Sequence, residues 1–175
     1  YTLARQGKRA ETIERYRELS PDGLSEVEKA MFVDLVGRLQ GELSMEAYQK
    51  GLELERTARY ADATESYEEA LRMGPEAAHG PAVRLHLGAT LRRLGKPEQA
   101  KLMLQETLSQ NQDRDVHRDA MWELVQCNED LGDLDASRSN LRAILRKWPR
   151  SSLAPDARKR LGELNLKALR ARKGG

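Results

Sequence analysis

Histidines, cysteines and paired carboxylates are the side chains best suited to chemistry, and this chain of 175 residues has few of them. Its histidines are His79, His86 and His117. His79 and His86 are separated by "GPAVRL", and Gly80-Pro81 makes that a poor spacing for one shared metal ion. Cys127 is the single cysteine and has no histidine near it in sequence to take its proton. On a helix such a cysteine is more often buried structure than nucleophile. Glu68-Glu69 and Glu129-Asp130 are adjacent acids. Adjacent positions on a helix diverge by about 100°, so each pair reads as solvated surface. The glycines of "GATLRRLGK" fall inside and at the end of a helical pattern, not in a loop that could cradle phosphate. These residues predict no catalytic centre, no metal site and no cofactor, which leaves binding as the class of function.

The elements that would position a binding surface are helical. Hydrophobic residues make up 39% and charged residues 33%. Leu and Ala are plentiful while Val, Ile and Phe are scarce, which favours helix over strand. No run of 18 apolar residues exists; "AMFVDLV" is the strongest patch and carries Asp34, so no membrane span is expected. A lone cysteine permits no internal disulfide and leaves the redox compartment open. The chain opens on Tyr1 and not on Met, so it reads as a piece of a longer one.

The helices repeat. "YADATESYEEALRMGP" places Ala63, Tyr67, Ala70 and Pro75 after a turn at Ala58. "LRRLGKPEQAKLMLQETL" places Ala100, Leu104 and Thr107 after Gly95, and "NEDLGDLDASRSNLRAILRKWP" places Ser137, Leu141, Ile144 and Pro149 after Gly132. The turns at 58, 95 and 132 are 37 residues apart. The preceding helices keep the same step, with Gly51, Gly88, Val125 and Gly162 in register. A small residue where two helices approach most closely lets their backbones come together, and a large apolar residue one turn away fills the gap. Ala63 and Ala70 therefore read as contact points and Tyr67 as the filler. A helical Gly costs about 1 kcal/mol relative to Ala, so a repeated Gly implies a packing requirement.

These residues resemble the tetratricopeptide repeat family, whose pattern is Leu-Gly in the leading helix, then Ala, an aromatic, Ala and Pro in the trailing one. The resemblance covers about 44–170, and its 37-residue step exceeds the family's usual 34. It implies an all-α, right-handed superhelical solenoid of antiparallel helix pairs. The expected repeats are 44–77, 81–110 and 118–149, followed by a leading or capping helix at 154–170 and a frayed tail at 171–175. Residues 1–43 break the register. Gly7 and Tyr16 look like the turn and aromatic of an earlier trailing helix, "SPDG" turns the chain, and a further helix follows with Val27, Met31, Leu35 and Leu39 on one stripe. Ser25 with Glu28 forms a capping box and Ser44 caps the first repeat. Pro81, Pro97 and Pro155 suit first helical turns. The links "MGPEAAHGP" and "KWPRSSLAPDA" are similar to those of bacterial cell-envelope members, the Tol-associated cell-division coordinator and the outer-membrane assembly lipoprotein, which favours the periplasm or envelope as location.

The resemblance also implies a function: a non-catalytic scaffold or adaptor that holds a peptide or helix of a partner protein in a concave groove. The alternative is a structural or regulatory segment of a larger multidomain protein. By the family's geometry the inward-facing positions are Tyr48, Leu52, Glu55 and Arg56, then Leu85, Ala89, Arg92 and Arg93, then Trp122, Gln126, Glu129 and Asp130, and last Lys159, Glu163, Leu166 and Lys167. Tyr48, Leu52, Arg56, Leu85, Arg92, Arg93, Trp122 and Gln126 are the candidate partner-binding residues. Tyr48, Leu85 and Trp122 would anchor apolar side chains and the two arginines would take acids, or Tyr48 and Trp122 would be core between repeats. The Lys and Asn set with which chaperone-binding members clamp a terminal carboxylate is absent. The net charge of +2 hides an asymmetry. From Arg142 onward there are eleven basic and two acidic residues, leaving about −7 on the remainder. That basic end is either a solvated helical face or a docking patch for an acidic partner or an anionic membrane surface. With few aromatics beside it, it does not predict nucleic-acid binding.

Overall fold

A computed structural model describes residues 8–18, 23–110 and 113–173. Eight helices occupy the described residues, and no strand does. They are α1 (Arg9–Glu18), α2 (Glu26–Arg56), α3 (Tyr60–Met73), α4 (Gly80–Arg93), α5 (Pro97–Gln110), α6 (Arg114–Asp130), α7 (Leu134–Lys147) and α8 (Ala154–Lys173). Gly7, the first three residues of "SPDG" and positions 174–175 lie outside the described residues. The chain forms two compact units, 1–83 and 84–175, and the break falls within α4.

The three in-register turns share one backbone conformation. Ala58, Gly95 and Gly132 have φ of 59°, 71° and 75°, the left-handed region. Around each, two amides reach back to satisfy the carbonyls that a helix end leaves open. The amides of Ala58 and Arg59 donate to Glu55 and Leu54, those of Gly95 and Lys96 to Arg92 and Leu91, and those of Gly132 and Asp133 to Glu129 and Asn128. Gly adopts this conformation without penalty; Ala58 does so against the clash of its Cβ.

In unit 1, α3 folds back antiparallel on the C-terminal half of α2. Ser44 on α2 contacts Ala70 and Gly74 late in α3, while Gly51 and Glu55 meet Tyr67 earlier in it. A Cβ built on Gly51 would clash with the Tyr67 ring, 2.6 Å from its Cδ1. Tyr67 is fully buried, and its hydroxyl donates to Glu55 at 2.8 Å. The N-terminal half of α2 packs on α1 through Ile13, Leu35, Val36 and Leu39, with Tyr16 and Leu43 at the margin.

Two expectations about α2 need correction. It is one helix of 31 residues, so the boundary at 43/44 falls inside it and Ser44 is no cap. Ser44 is instead buried at mid-helix, where its hydroxyl donates to the Ala70 carbonyl at 2.7 Å. The Ser25–Glu28 capping box does start the helix. The stripe from Val27 to Leu39 is also not one face, since Leu35 and Leu39 are buried while Val27 and Met31 are 69% and 49% exposed. Each four-residue step overshoots a helical turn by about 40°, so a stripe built on fours rotates out of the core.

In unit 2 the pairs α4/α5 and α6/α7 are antiparallel, and α8 packs on α7. Gly88 faces Leu104, whose Cγ would sit 2.7 Å from an added Cβ. The Ser137 hydroxyl reaches the Val125 carbonyl and Lys147 approaches His117, which fixes α7 antiparallel to α6. Met121, Val125, Leu141, Ile144, Trp148, Ala157 and Leu164 form the core cluster of this unit.

Candidate protein-interaction surface

The candidate residues fall in both units. In unit 1, Tyr48 is half-buried. Its ring stacks on His79 at 5.9 Å with an interplanar angle of 13° and leans on Tyr67 at 6.0 Å. Burial, with Glu55 second, raises its phenol above the ordinary value. His79 Nε2 lies 2.7 Å from the Ser44 oxygen. Because the one Ser44 proton goes to the Ala70 carbonyl, His79 Nε2 must carry the hydrogen in this contact. A serine–histidine contact so arranged has no proton for the imidazole to abstract. Leu52, one residue past Gly51, is half-buried and Arg56 is exposed.

In unit 2, leading helices are tied to one another by ion pairs. Arg92 on α4 reaches Glu123 at 3.1 Å and Asp130 at 3.4 Å on α6. Glu129 on α6 receives two hydrogen bonds from Arg160 on α8, at 2.7 and 2.8 Å, and accepts the Ser137 hydroxyl at 3.1 Å. The Glu129 hydrogen bonds are the main cause that raises the Arg160 guanidinium above its usual range. Arg92 and Glu123 are 81% and 85% withdrawn from solvent, so this pair is screened less than a surface one.

Trp122 sits between the core and that ladder. It packs against the core cluster on one side and lies under the Arg160 guanidinium, 5.9 Å from its ring centre, on the other. Gln126 follows one turn later on α6 and is half-buried, as is Leu85 on α4; Arg93 is exposed. The fold thus brings Arg92 and Trp122 into one network of α4, α6 and α8 side chains. Tyr48 belongs to a separate aromatic cluster in unit 1.

Glu129 and Asp130 were expected to be solvated surface, and for Glu129 that is wrong: its side chain is only 19% exposed. The available signal was a spacing. Arg92 to Glu123 and Glu129 to Arg160 are each 31 residues, six short of the repeat step, which places opposite charges on successive leading helices. Gly162 also departs from its expected packing role: it is exposed, and an added Cβ would meet nothing within 4 Å. Cys127 is buried, and burial is the first cause that pushes its thiol up to about 11. Among the described residues, no three His, Cys, Asp or Glu side chains converge to hold a metal ion. No helix among them is long and apolar enough to cross a membrane.

Tetratricopeptide repeat profiles match residues 56–124 and 119–151. Residues 56–151 belong to the tetratricopeptide repeat family. Solved tetratricopeptide structures agree in fold. The first such domain of Spaghetti (RPAP3), bound to an HSP90 peptide, superposes with a TM-score of 0.64 at 15% identity, covering 74% of this chain and 95% of that one. PcrH, known from Pseudomonas aeruginosa and solved with the chaperone-binding region of PopD, gives 0.62 at 18% identity, covering 85% and 99%. A tetratricopeptide protein of Parabacteroides merdae gives 0.64 at 20%, covering 73% of this chain and 48% of that one. No curated protein sequence matches the chain. At these identities the likeness speaks for the fold alone.

Proposed function

We propose that the protein is a non-catalytic interaction scaffold that holds a peptide or helix of a partner protein along its leading helices. The ion-pair ladder Arg92–Glu123 and Glu129–Arg160 is the observation that carries this reading. It fixes the side chains around Trp122 in advance, so that less conformational freedom is lost when a ligand arrives. Trp122 supplies a rigid aromatic anchor, Leu85 an apolar neighbour and Gln126 an amide that can pair with a bound backbone. In unit 1, taken by itself, Tyr48, Leu52 and Arg56 are the residues proposed to meet a partner. Arg92 is committed to Glu123 and Asp130, so ligand acids would go to Arg56. Proteins of similar fold support the reading: the RPAP3 domain is bound to an HSP90 peptide, and PcrH is in complex with the chaperone-binding region of PopD.

A role in bacterial envelope assembly is supported only by the links "MGPEAAHGP" and "KWPRSSLAPDA", and a lipoprotein signal upstream in the reading frame would test it. The internal neutralisation of Arg92 favours a second reading, in which the chain is a structural segment of a larger protein that fills its own groove.

The test is affinity capture from the native source with three folded baits: wild type, Trp122→Ala, and Arg56→Glu with Gln126→Lys. The third removes no core apolar side chain. Capture of one protein by wild type and its loss from both variants is the expected result. Equal capture by all three would remove function from this surface.

A further inference from the structure

The repeat register leaves one face unfilled. Counting back from Gly162 in steps of 37 gives Val125, Gly88 and Gly51. Those three are buried beneath trailing helices: Tyr67 covers Gly51, Leu104 covers Gly88, and Ser137 meets Val125. Gly162 is exposed, and the space where Tyr67 or Leu104 would enter is open. Leu166, in register with Glu55, Arg92 and Glu129, is 57% exposed, and Leu169 is 54% exposed. The opposite face of α8, with Ala157 and Leu164, is the one in the core.

The chain does not turn back to fill this face at the point where its repeats do. The register puts the next turn at 169, after Ala58, Gly95 and Gly132. Leu169 stands there in helical conformation and α8 runs on to Lys173. A leucine would resist the left-handed conformation that the other three turns require. A helix seated on Gly162 is therefore not delivered by a turn at the repeat's own position.

Charge indicates its kind. The exposed face is edged by Lys159, Arg170 and Arg158, the last of which also donates to the Pro149 carbonyl. Beside Leu169 a cleft of about 590 Å³ opens between α7 and α8, with Arg142 and Arg138 on its wall and Asp135 paired to Arg138. We propose that this face of α8 docks an acidic amphipathic helix supplied by another polypeptide, seated as α3 sits on α2. A large apolar side chain of that helix would enter over Gly162, flanked by Leu166 and Leu169, and its acids would meet the cationic rim.

The α3 sequence is itself such a helix, so a labelled synthetic peptide of residues 58–75 serves as the probe. A hydrocarbon staple across the exposed positions 68 and 72 keeps it helical. Fluorescence anisotropy with the full chain is expected to show saturable binding. Leu166→Lys with Leu169→Lys should weaken it at least tenfold. So should Gly162→Leu, which fills the seat without touching the core. A peptide with Asp62, Glu65 and Glu69 replaced by Lys should also bind at least tenfold more weakly. Absence of saturable binding would overturn the proposal. So would equal affinity for wild type and both variants, which would mean that the peptide had displaced α3 from α2. Sedimentation of the chain alone covers the remaining occupant: self-association abolished by Leu166→Lys with Leu169→Lys would assign the face to a second copy. The substitutions at Leu166, Leu169 and Gly162 leave Arg56, Trp122 and Gln126 unchanged, so the two readings are tested by different variants.

Discussion

The α2/α3 and α6/α7 pairs face the same problem and divide the space in opposite ways. In the first, the leading helix recedes to Gly51 and the trailing helix intrudes with a fully buried Tyr67. In the second, the leading helix keeps a buried Val125, and the trailing-helix residue in register with Tyr67 is the smaller, fully buried Leu141. What persists between them is the register and the summed volume at the crossing, not the identity of the small residue. A repeat can therefore lose its glycine without losing its place, provided the helix opposite shrinks.

The comparison can be broken directly. Tyr67→Ala leaves a ring-sized void over Gly51 and is expected to cost about 3–5 kcal/mol in urea unfolding. Leu141→Ala, beside Val125, should cost about 2–5 kcal/mol. If Tyr67→Ala costs under about 1 kcal/mol, the ring is not what fills the first crossing.

Glycine substitutions sharpen it. Gly51→Ala and Gly88→Ala place a Cβ against Tyr67 and Leu104 and should each lose about 1–3 kcal/mol. Gly162→Ala meets nothing and should gain about 0.5–1 kcal/mol from helix propensity alone. Three glycines in one register would then differ in sign, which thermal midpoints would show at once. In a double-mutant cycle, Gly51→Val and Tyr67→Leu should together cost less than the sum of each alone, because the pair rebuilds the second crossing's division of volume.

A smaller effect is expected at the turns. Ala58→Gly relieves the left-handed strain that Gly95 and Gly132 avoid, and should stabilise by about 1 kcal/mol; a loss instead would mean that the Ala58 methyl packs productively.

The smallest effect belongs to unit 1 alone. Burial holds His79 below its ordinary value of 6.5, opposed by the Ser44 contact. Below about pH 6.5 the unfolded chain takes up a proton that the folded one resists. Stability is then full above that pH and declines as pH falls toward the lowered folded value. His79→Gln should flatten this part of the wild-type profile between pH 7.5 and 5, measured as the difference in urea midpoint. An unchanged slope would remove His79 from the pH response.

Much of this was legible in the sequence because the repeat reports itself several times. The 37-residue step located three turns and placed Gly51 and Gly88 beneath trailing-helix side chains, since close packing and left-handed backbone each restrict residue choice sharply. Ser44 was misread because a buried serine and a capping serine look alike until the helix before them is known to continue. Val27 and Met31 were misread because a spacing of four mimics a stripe over two turns and drifts over three. The ladder was missed because Arg92–Glu123 and Glu129–Arg160 bridge helices a repeat apart, and no local pattern marks a charge whose partner is 31 residues away. The environment of Trp122, half core and half under Arg160, depends on the same distant contact.

The ladder also bears on how the unit 2 helices come apart. α6 is tethered on both sides, to α4 through Arg92 and to α8 through Glu129, while among the described residues α8 is tethered to a leading helix on one side. In a stacked array, stability is close to a sum of nearest-neighbour couplings, so an element with one neighbour melts before an element with two. Hydrogen exchange in α8 should therefore outpace that in α6 under native conditions. Opening of α8 carries off Arg160, so Trp122 loses the guanidinium over its ring while α6 is still folded.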